Sequence, residues 1–264
     1  MANADMLLAS GDLEGARAAL VETVRSKPAD QSARMFLLQL LLVGGEWDKA
    51  AAQAKALAGL SPAAEMLSVL VNQLIAAERQ REAAFAGAAP FKVLVPSSPW
   101  VQEAADALTA FAKGDVETGL ALRDKAFAAA PDTLGECDGK RFGWIADADP
   151  RFGPCLEVMA AGAWGLVPFE AISVLSAEGP VDMRDLVWLP VEITLRSGQT
   201  AAAFIPTRYP GSSEAEASLR LARATDWRKG PAGDEGLGQR LLTFDDGTDL
   251  PILSLRRLTM LQVE

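Results

Sequence analysis

The 264-residue sequence predicts an α+β protein: an all-α helical repeat over residues 1–132, then a small, mostly antiparallel β domain over 133–264 carrying one or two helices. Three observations predict it. Residues 1–132 are rich in Ala and Leu, with apolar positions at helical spacing. The same stretch repeats itself with a period near 34 residues. Beyond Pro131 the alanine runs thin out, and β-branched and aromatic residues appear between turn signals.

The helical half is read element by element. Leu13, Ala16, Leu20 and Val24 share one face, as do Ala33, Leu37, Leu40 and Leu41, and Met66, Val69, Leu70, Leu74 and Ala77. Gly11-Asp12 and Gly114-Asp115 each open a helix, glycine allowing the turn and aspartate capping the N-terminus. Gly11 and Gly45, Ala16 and Ala50, and Pro28 and Pro62 are each separated by 34 residues. A period of 34 with a small residue within the second helix and Pro after it is the tetratricopeptide signature. Helices are expected near 3–10, 12–27, 30–43, 46–59, 62–85, 98–113 and 115–130. The third unit is irregular: segment 87–100, with Pro90, Pro96 and Pro99, stands where its second helix belongs, and 91–95 reads as a strand or an extended tether. A plain helical bundle is the alternative.

In the second half, 156–159 and 163–167 pair across Ala161-Gly162, and 171–175 is a further strand. Strands 186–195 and 200–205 flank the turn Arg196-Ser197-Gly198-Gln199. Residues 213–224 read as a helix capped by Ser212 or Ser213, with Glu214 and Glu216 in its first turn. Segments 240–244 and 250–255 flank a second hairpin turn, Asp245-Asp246-Gly247.

Composition removes several classes of function. The net charge is −10 and neither half is basic, so no footprint for nucleic acid or anionic lipid is expected. No apolar run is long enough to span a membrane, and the start does not read as a signal peptide. The sequence has no histidine, which excludes Ser-His-Asp and Cys-His catalysis and His-ligated zinc or haem within this chain. Cys137 and Cys155 make neither a disulfide framework nor a zinc set, and both are expected to be inert in a reducing, cytoplasmic setting.

Candidate chemistry is sparse. Asp147 and Asp149 form a D-x-D that could hold a divalent cation for a transferase or hydrolase; with Pro150 next, a turn whose carboxylates bond local amides is favoured. Gly236-Leu237-Gly238-Gln239-Arg240 matches neither a dinucleotide fingerprint nor a P-loop and reads as a flexible lead-in to a strand. No cofactor or metal site is assigned. Segment 188–240 concentrates Trp, Arg, Pro and Gly, and within it Trp188, Arg208, Tyr209, Arg223 and Trp227 are the candidate partner-binding residues, because Trp and Arg dominate interface energetics. Two bland readings stand beside this: Trp164, Trp188 and Trp227 as core or part-buried anchors, and Arg208 paired with Glu214, Asp226 or another acid. A regulator with a small-ligand pocket lined by Trp188, Arg208 and Tyr209 is a further alternative.

Several motifs in order carry a family resemblance. Residues 142–154, FGWIADADPRFGP, resemble an FxWIADxDxRxGP segment. Val167-Pro168-Phe169, Leu186-Val187-Trp188, the run from Ile205 to Ser212, the run from Leu221 to Trp227 and Gly236-Leu237-Gly238-Gln239-Arg240 follow in the same order as in the ImpE/TagJ family, accessory proteins of bacterial type VI secretion. Ser212-Ser213-Glu214 departs from a shorter Ser-Glu by one loop residue. The resemblance implies a non-enzymatic cytoplasmic adaptor. It would bind the N-terminal helix of the small contractile-sheath subunit (TssB-like) and act in sheath assembly or turnover. A helix-stacking repeat suits capture of an amphipathic helix, either on the concave face of 1–132 or in the cleft between the halves, and an acidic groove favours a helix bearing Lys or Arg.

Overall fold

The structure is a computed structural model and describes residues 2–261. Seven helices come first: α1 (Ala2–Ala9), α2 (Leu13–Ser26), α3 (Gln31–Val43), α4 (Trp47–Ala58), α5 (Pro62–Phe85), α6 (Pro99–Ala112) and α7 (Val116–Ala129). Each lies within two residues of the expected span, because local chemistry sets its ends. Asp12, Asp30, Ser61 and Asp115 each accept a hydrogen bond from the backbone N–H three residues on. Pro62 and Pro99 start α5 and α6, where a missing N–H costs nothing. Gly11, Gly45 and Gly114 take left-handed φ of 85°, 69° and 81° between paired helices. Ala16, Ala33, Ala50 and Ala54 are wholly buried where helices cross, and a Cβ on Gly119 would sit 2.6 Å from the Phe111 ring. This packing is compatible with a tetratricopeptide-like stack.

The irregular third unit has a cause. Helix α5 runs 24 residues, nearly twice its neighbours' length. Its C-terminal half lies against the β region while Arg79 and Glu82 still reach Asp48 and Trp47 of α4. The chain then returns as a strap in which Leu94 donates to the Leu166 carbonyl and Leu166 to that of Lys92, at 2.9 and 2.8 Å. Segment 91–95 is therefore an extended tether that makes a parallel bridge at Val93.

The remaining elements are β1 (Gly135–Cys137), β2 (Lys140–Phe142), β3 (Ile145–Asp147), β4 (Cys155–Ala160), β5 (Ala163–Pro168), β6 (Ile172–Ser176), β7 (Trp188–Leu195), β8 (Thr200–Pro206), α8 (Ala217–Arg220), β9 (Thr225–Gly230), β10 (Gly233–Gly238), β11 (Leu241–Phe244), β12 (Asp249–Pro251) and β13 (Arg257–Met260). Eight strands form one antiparallel sheet in the order β2-β1-β13-β6-β7-β8-β4-β5. Strands β12-β11-β3 form a second sheet, and β9 and β10 a separate ribbon. The β4–β5 hairpin turns through Ala161 and Gly162, both at positive φ, as a two-residue turn requires. One apolar core lies between the eight-stranded sheet and the three-stranded one. A second runs without interruption from Ala4 and Leu20 through α5 to Met159, Trp164, Trp188, Tyr209 and Leu221, so the helical and β parts share it.

Three expectations need correction. The helix over 213–224 is a single 3-10 turn at Ser212–Glu214 and four residues of α8. Ser212 is bonded elsewhere, its hydroxyl donating to the Tyr209 carbonyl and accepting from Gly238 N–H, and Ala222 turns left-handed (φ 50°) to end the segment. Gly236–Gly238 is part of strand β10, not a flexible lead-in. A Cβ at Gly236 would meet the Tyr209 ring at 2.3 Å, and one at Gly238 the Ala224 carbonyl at 2.2 Å, so close approach explains both glycines. The strand expected over 250–255 ends at Pro251 and continues as a 3-10 turn. Strands β1, β2, β3, β9 and β13 fall where the sequence suggested no strand.

Candidate functional site

A chain of buried charges lies where α5 meets the sheets. Glu157, on β4, is at its centre. Its Oε1 accepts from Arg81 Nε at 2.8 Å and Trp164 Nε1 at 2.9 Å; its Oε2 accepts from Arg81 Nη2 at 3.0 Å and also from Arg240. Arg240 continues to Asp147. The other Asp147 oxygen accepts from the Tyr209 hydroxyl and from Asp149 N–H, each at 2.9 Å. Asp149 in turn holds Arg151 through Nε (3.0 Å) and Nη2 (2.6 Å), and accepts from Gly236 N–H at 2.7 Å. Arg151 reaches Glu235 at 3.1 Å. On the helix side Glu78 lies 3.5 Å from Arg81 and accepts from Trp188 Nε1 at 2.9 Å.

Asp149, Glu157 and Arg240 are wholly buried. A charge in such a place must be paired and fully hydrogen-bonded to persist. Arg240 meets that condition by its two carboxylates and by contact with the rings of Phe152 and Tyr209, 4.8 and 4.9 Å from their centroids. Burial alone would push the Glu157 carboxyl up, but the guanidinium groups of Arg81 and Arg240 outweigh it and hold the group down at about 2. Asp147 has one arginine and a neighbouring carboxylate, and there burial wins, raising it to about 6. Burial likewise raises Glu78.

The arrangement leaves little chemistry free. Both carboxylates of the D-x-D bond local amides, as the turn reading expected: Asp147 holds Asp149 N–H and Asp149 holds Arg151 N–H. Each is also engaged by an arginine. Among the described residues no group of three or more Cys, Asp or Glu is placed to hold a metal ion. Cys137 and Cys155 are unbonded to each other and buried, and burial pushes the Cys137 thiol up to about 12 and that of Cys155 higher still. That places both far from thiolate reactivity.

The five residues singled out from the sequence divide in two. Trp188 is interior, stacked on Trp47 with centroids 5.8 Å apart. Tyr209 is interior, held by Asp147 and by Leu241 N–H at 3.1 Å. Arg208 is interior too, but among the described residues it forms no ion pair with Glu214, Asp226 or another acid. Its Nη1 donates to the carbonyls of Val43 (2.8 Å) and Arg220 (2.5 Å), joining the end of α3 to α8. Burial lowers it to about 10 against the pull of Glu78. Arg223 and Trp227 reach the surface. The cavity beside Trp47, Arg208 and Tyr209 holds only about 60 Å³, so the pocket expected around Trp188, Arg208 and Tyr209 is filled by protein.

Sequence reasoning missed Glu78, Arg81, Arg151, Glu157 and Arg240. A signal existed for the first two: with Leu74 and Ala77 they lie on the inward stripe of α5, where a charged residue is anomalous. Glu157 likewise interrupts an apolar strand.

The larger depressions are shallow. One of about 480 Å³ lies along α5 beside Val69, Gln73, Ala76 and Gly162, next to the exposed Met66 and Val69 (76% and 57%). Another of about 580 Å³ lies over β4, β5 and β7. Among the described residues no helix is long and apolar enough to cross a membrane.

Comparison with known proteins agrees with the motif order. The profile of the ImpE protein family matches residues 139–259. The type VI secretion system accessory component TagJ of Pseudomonas aeruginosa is 39% identical over 258 residues, spanning 97% of this chain and 90% of that protein. A crystal structure of a protein from Vibrio parahaemolyticus superposes with a TM-score of 0.88 over 98% of both chains at 23% identity, which bears on the fold alone. With identity at this level across nearly its whole length, this chain belongs to the ImpE/TagJ family of type VI secretion accessory proteins.

Proposed function

We propose that this protein is a non-enzymatic cytoplasmic adaptor of type VI secretion that binds the N-terminal amphipathic helix of the small sheath subunit (TssB-like) and acts in sheath assembly or turnover. It works without cofactor, metal or nucleic acid. The observation that carries this reading is the buried network: the conspicuous charged groups of the family motifs are engaged internally, which suits a rigid frame rather than a reactive site. The helix seat is the exposed side of α5. Met66 and Val69 lie one turn apart there beside the 480 Å³ depression, and Glu65 on its rim favours a helix bearing Lys or Arg. The cleft between the halves is the less favoured seat, because the shared core fills it. Residues 1–132 supply the docking scaffold and 133–264 the frame. Trp188, Arg208 and Tyr209 act as supports, while Arg223 and Trp227 form a separate partner-facing surface.

The test is calorimetric titration of a peptide from the sheath subunit's N-terminus into the full chain. Binding at about 10 μM or tighter is expected, weakened at least tenfold or so by Met66→Asp with Val69→Asp. No heat from a folded protein would overturn the reading. The metal-dependent alternative using Asp147 and Asp149 is disfavoured, because a cation would have to displace Arg151 and Arg240 from buried pairs.

A further inference from the structure

Strand β9 is an open sheet edge, and its surroundings select what can pair with it. Its partner β10 has its own outer edge filled: Gly236 N–H goes to Asp149, Gly238 N–H to Ser212, and the Gly238 carbonyl receives Tyr209 N–H. Gly236 and Gly238 therefore turn their polar groups away from β9. In an antiparallel ladder the residues opposite them do the same. Those residues are Trp227 and Thr225, and by alternation Lys229. Among the described residues no strand lies beyond β9. The outward N–H of Trp227 is occupied, among the described residues, only by the carboxylate of its neighbour Asp226, at 2.8 Å.

This edge is basic and aromatic on a protein of net charge −10. Trp227 is 38% exposed and packs on Tyr209, with ring centroids 6.0 Å apart. Arg223 is exposed and makes no ion pair among the described residues. Among the described residues Lys229 pairs only with the exposed Asp234, a contact that water weakens. Arg228 lies 3.5 Å from Glu235, whose carboxylate already holds Arg151 at 3.1 Å. A second, independent feature is backbone strain. Ala222 is buried at φ 50°, a conformation glycine adopts freely and alanine does not. Gln239 and Ser218 hold it there, with Gln239 Nε2 donating to the Ala222 carbonyl at 2.5 Å and Arg223 N–H to that of Ser218 at 2.8 Å. That turn sets where Arg223 leaves the surface, immediately before β9.

We propose that β9 is a docking edge for an acidic, extended segment of a protein partner, which adds to the ribbon as a third strand. Its backbone takes the outward groups of Thr225, Trp227 and Lys229, displacing the Asp226 carboxylate. Its acidic side chains meet Arg223 and Lys229, and one of its residues packs on Trp227. Charged edges ordinarily repel pairing; here the cations repel a second copy of the same edge and attract a strand of opposite sign. The proposal is independent of the helix seat on α5.

The probe is a fluorescein-labelled alternating Glu-Thr octapeptide, followed by anisotropy with the full chain. Expected is saturable binding that weakens with added salt and falls about tenfold or more for Arg223→Glu with Lys229→Glu. The same peptide N-methylated at alternate residues should not bind, because strand addition needs its N–H groups. Asp226→Asn should bind at least as tightly as wild type, since it loses a like charge. Absence of binding by the folded protein would overturn the proposal, as would equal binding of a Lys-Thr peptide or undiminished binding of the N-methylated one. Titrating the sheath-helix peptide into the Arg223→Glu, Lys229→Glu variant should give wild-type affinity, which separates failure of this proposal from failure of the helix reading.

Discussion

Arg81 on α5 and Glu157 on β4, 76 residues apart in the chain, form a two-pronged pair, Nε to Oε1 at 2.8 Å and Nη2 to Oε2 at 3.0 Å. Through it the last turns of α5 are locked to the sheet. Removing Arg81 leaves Glu157 with Arg240 and Trp164 and takes from Glu78 its nearest arginine, and breaking a buried pair costs about 3–5 kcal/mol. Arg81→Met should lower stability by that amount in urea denaturation. Combining it with Glu157→Gln should cost less than the sum of the two single changes, because the residues share one network.

The same network predicts a pH dependence. Glu157 is held at about 2, below its ordinary 4.5. A depressed carboxylate stabilises the fold fully above its unfolded value and loses that contribution as pH falls. The stability difference between wild type and Glu157→Gln should stay level at higher pH and shrink from 4.5 toward 2. Asp147 runs the other way: raised from 3.8 to about 6, it costs stability as it ionises. The margin of wild type over Asp147→Asn should fall as pH rises across that window. Urea titrations at each pH measure both.

Gly236 lies against the Tyr209 ring, which Asp147 and Leu241 fix in place. Gly236→Ala should therefore cost about 1–3 kcal/mol by overpacking, read as a fall in Tm. A substitution at Gly143 would meet only the Asp245 side chain at 2.8 Å and should cost less.

The cysteines should resist a disulfide exchange reagent while the protein is folded, because both thiols are buried and protonated. In urea both should react, at a rate that follows unfolding. Prompt labelling of Cys155 in the native protein would contradict its placement.

Met66 and Val69 make little contact with the core, so Met66→Asp and Val69→Asp should change stability by about 0.5 kcal/mol or less. Their effect should fall on binding of the sheath-subunit helix. Thermal melts run beside the peptide titration separate the two.

The helices were legible because their ends are local. Asp12, Asp30, Ser61 and Asp115 cap them within three residues, and glycines at a 34-residue spacing turn the chain. The hairpins β4–β5 and β7–β8 were legible for the same reason, as short turns between apolar runs. Strands β9 and β10 were not: glycine and charge dominate them, and their glycines serve contacts with Tyr209 and Ala224. The helix expected over 213–224 failed because Ser212 bonds to Gly238, a partner 26 residues away.

By itself, then, the sequence determined the two-part architecture, the boundaries of α1 to α7, the turn character of Asp147 and Asp149, and the family, since each rests on contacts a few residues apart or on motif order. Only the tertiary structure decided which charges are buried. Arg81, Glu157 and Asp147 come from α5, β4 and β3, and Arg240 from just before β11, and nothing in their local sequence says they meet. It also decided that Trp188, Arg208 and Tyr209 face inward while Arg223 and Trp227 face out. Exposure depends on what the rest of the chain packs against a residue, and here that is α5, whose shared core covers the first three and stops short of β9.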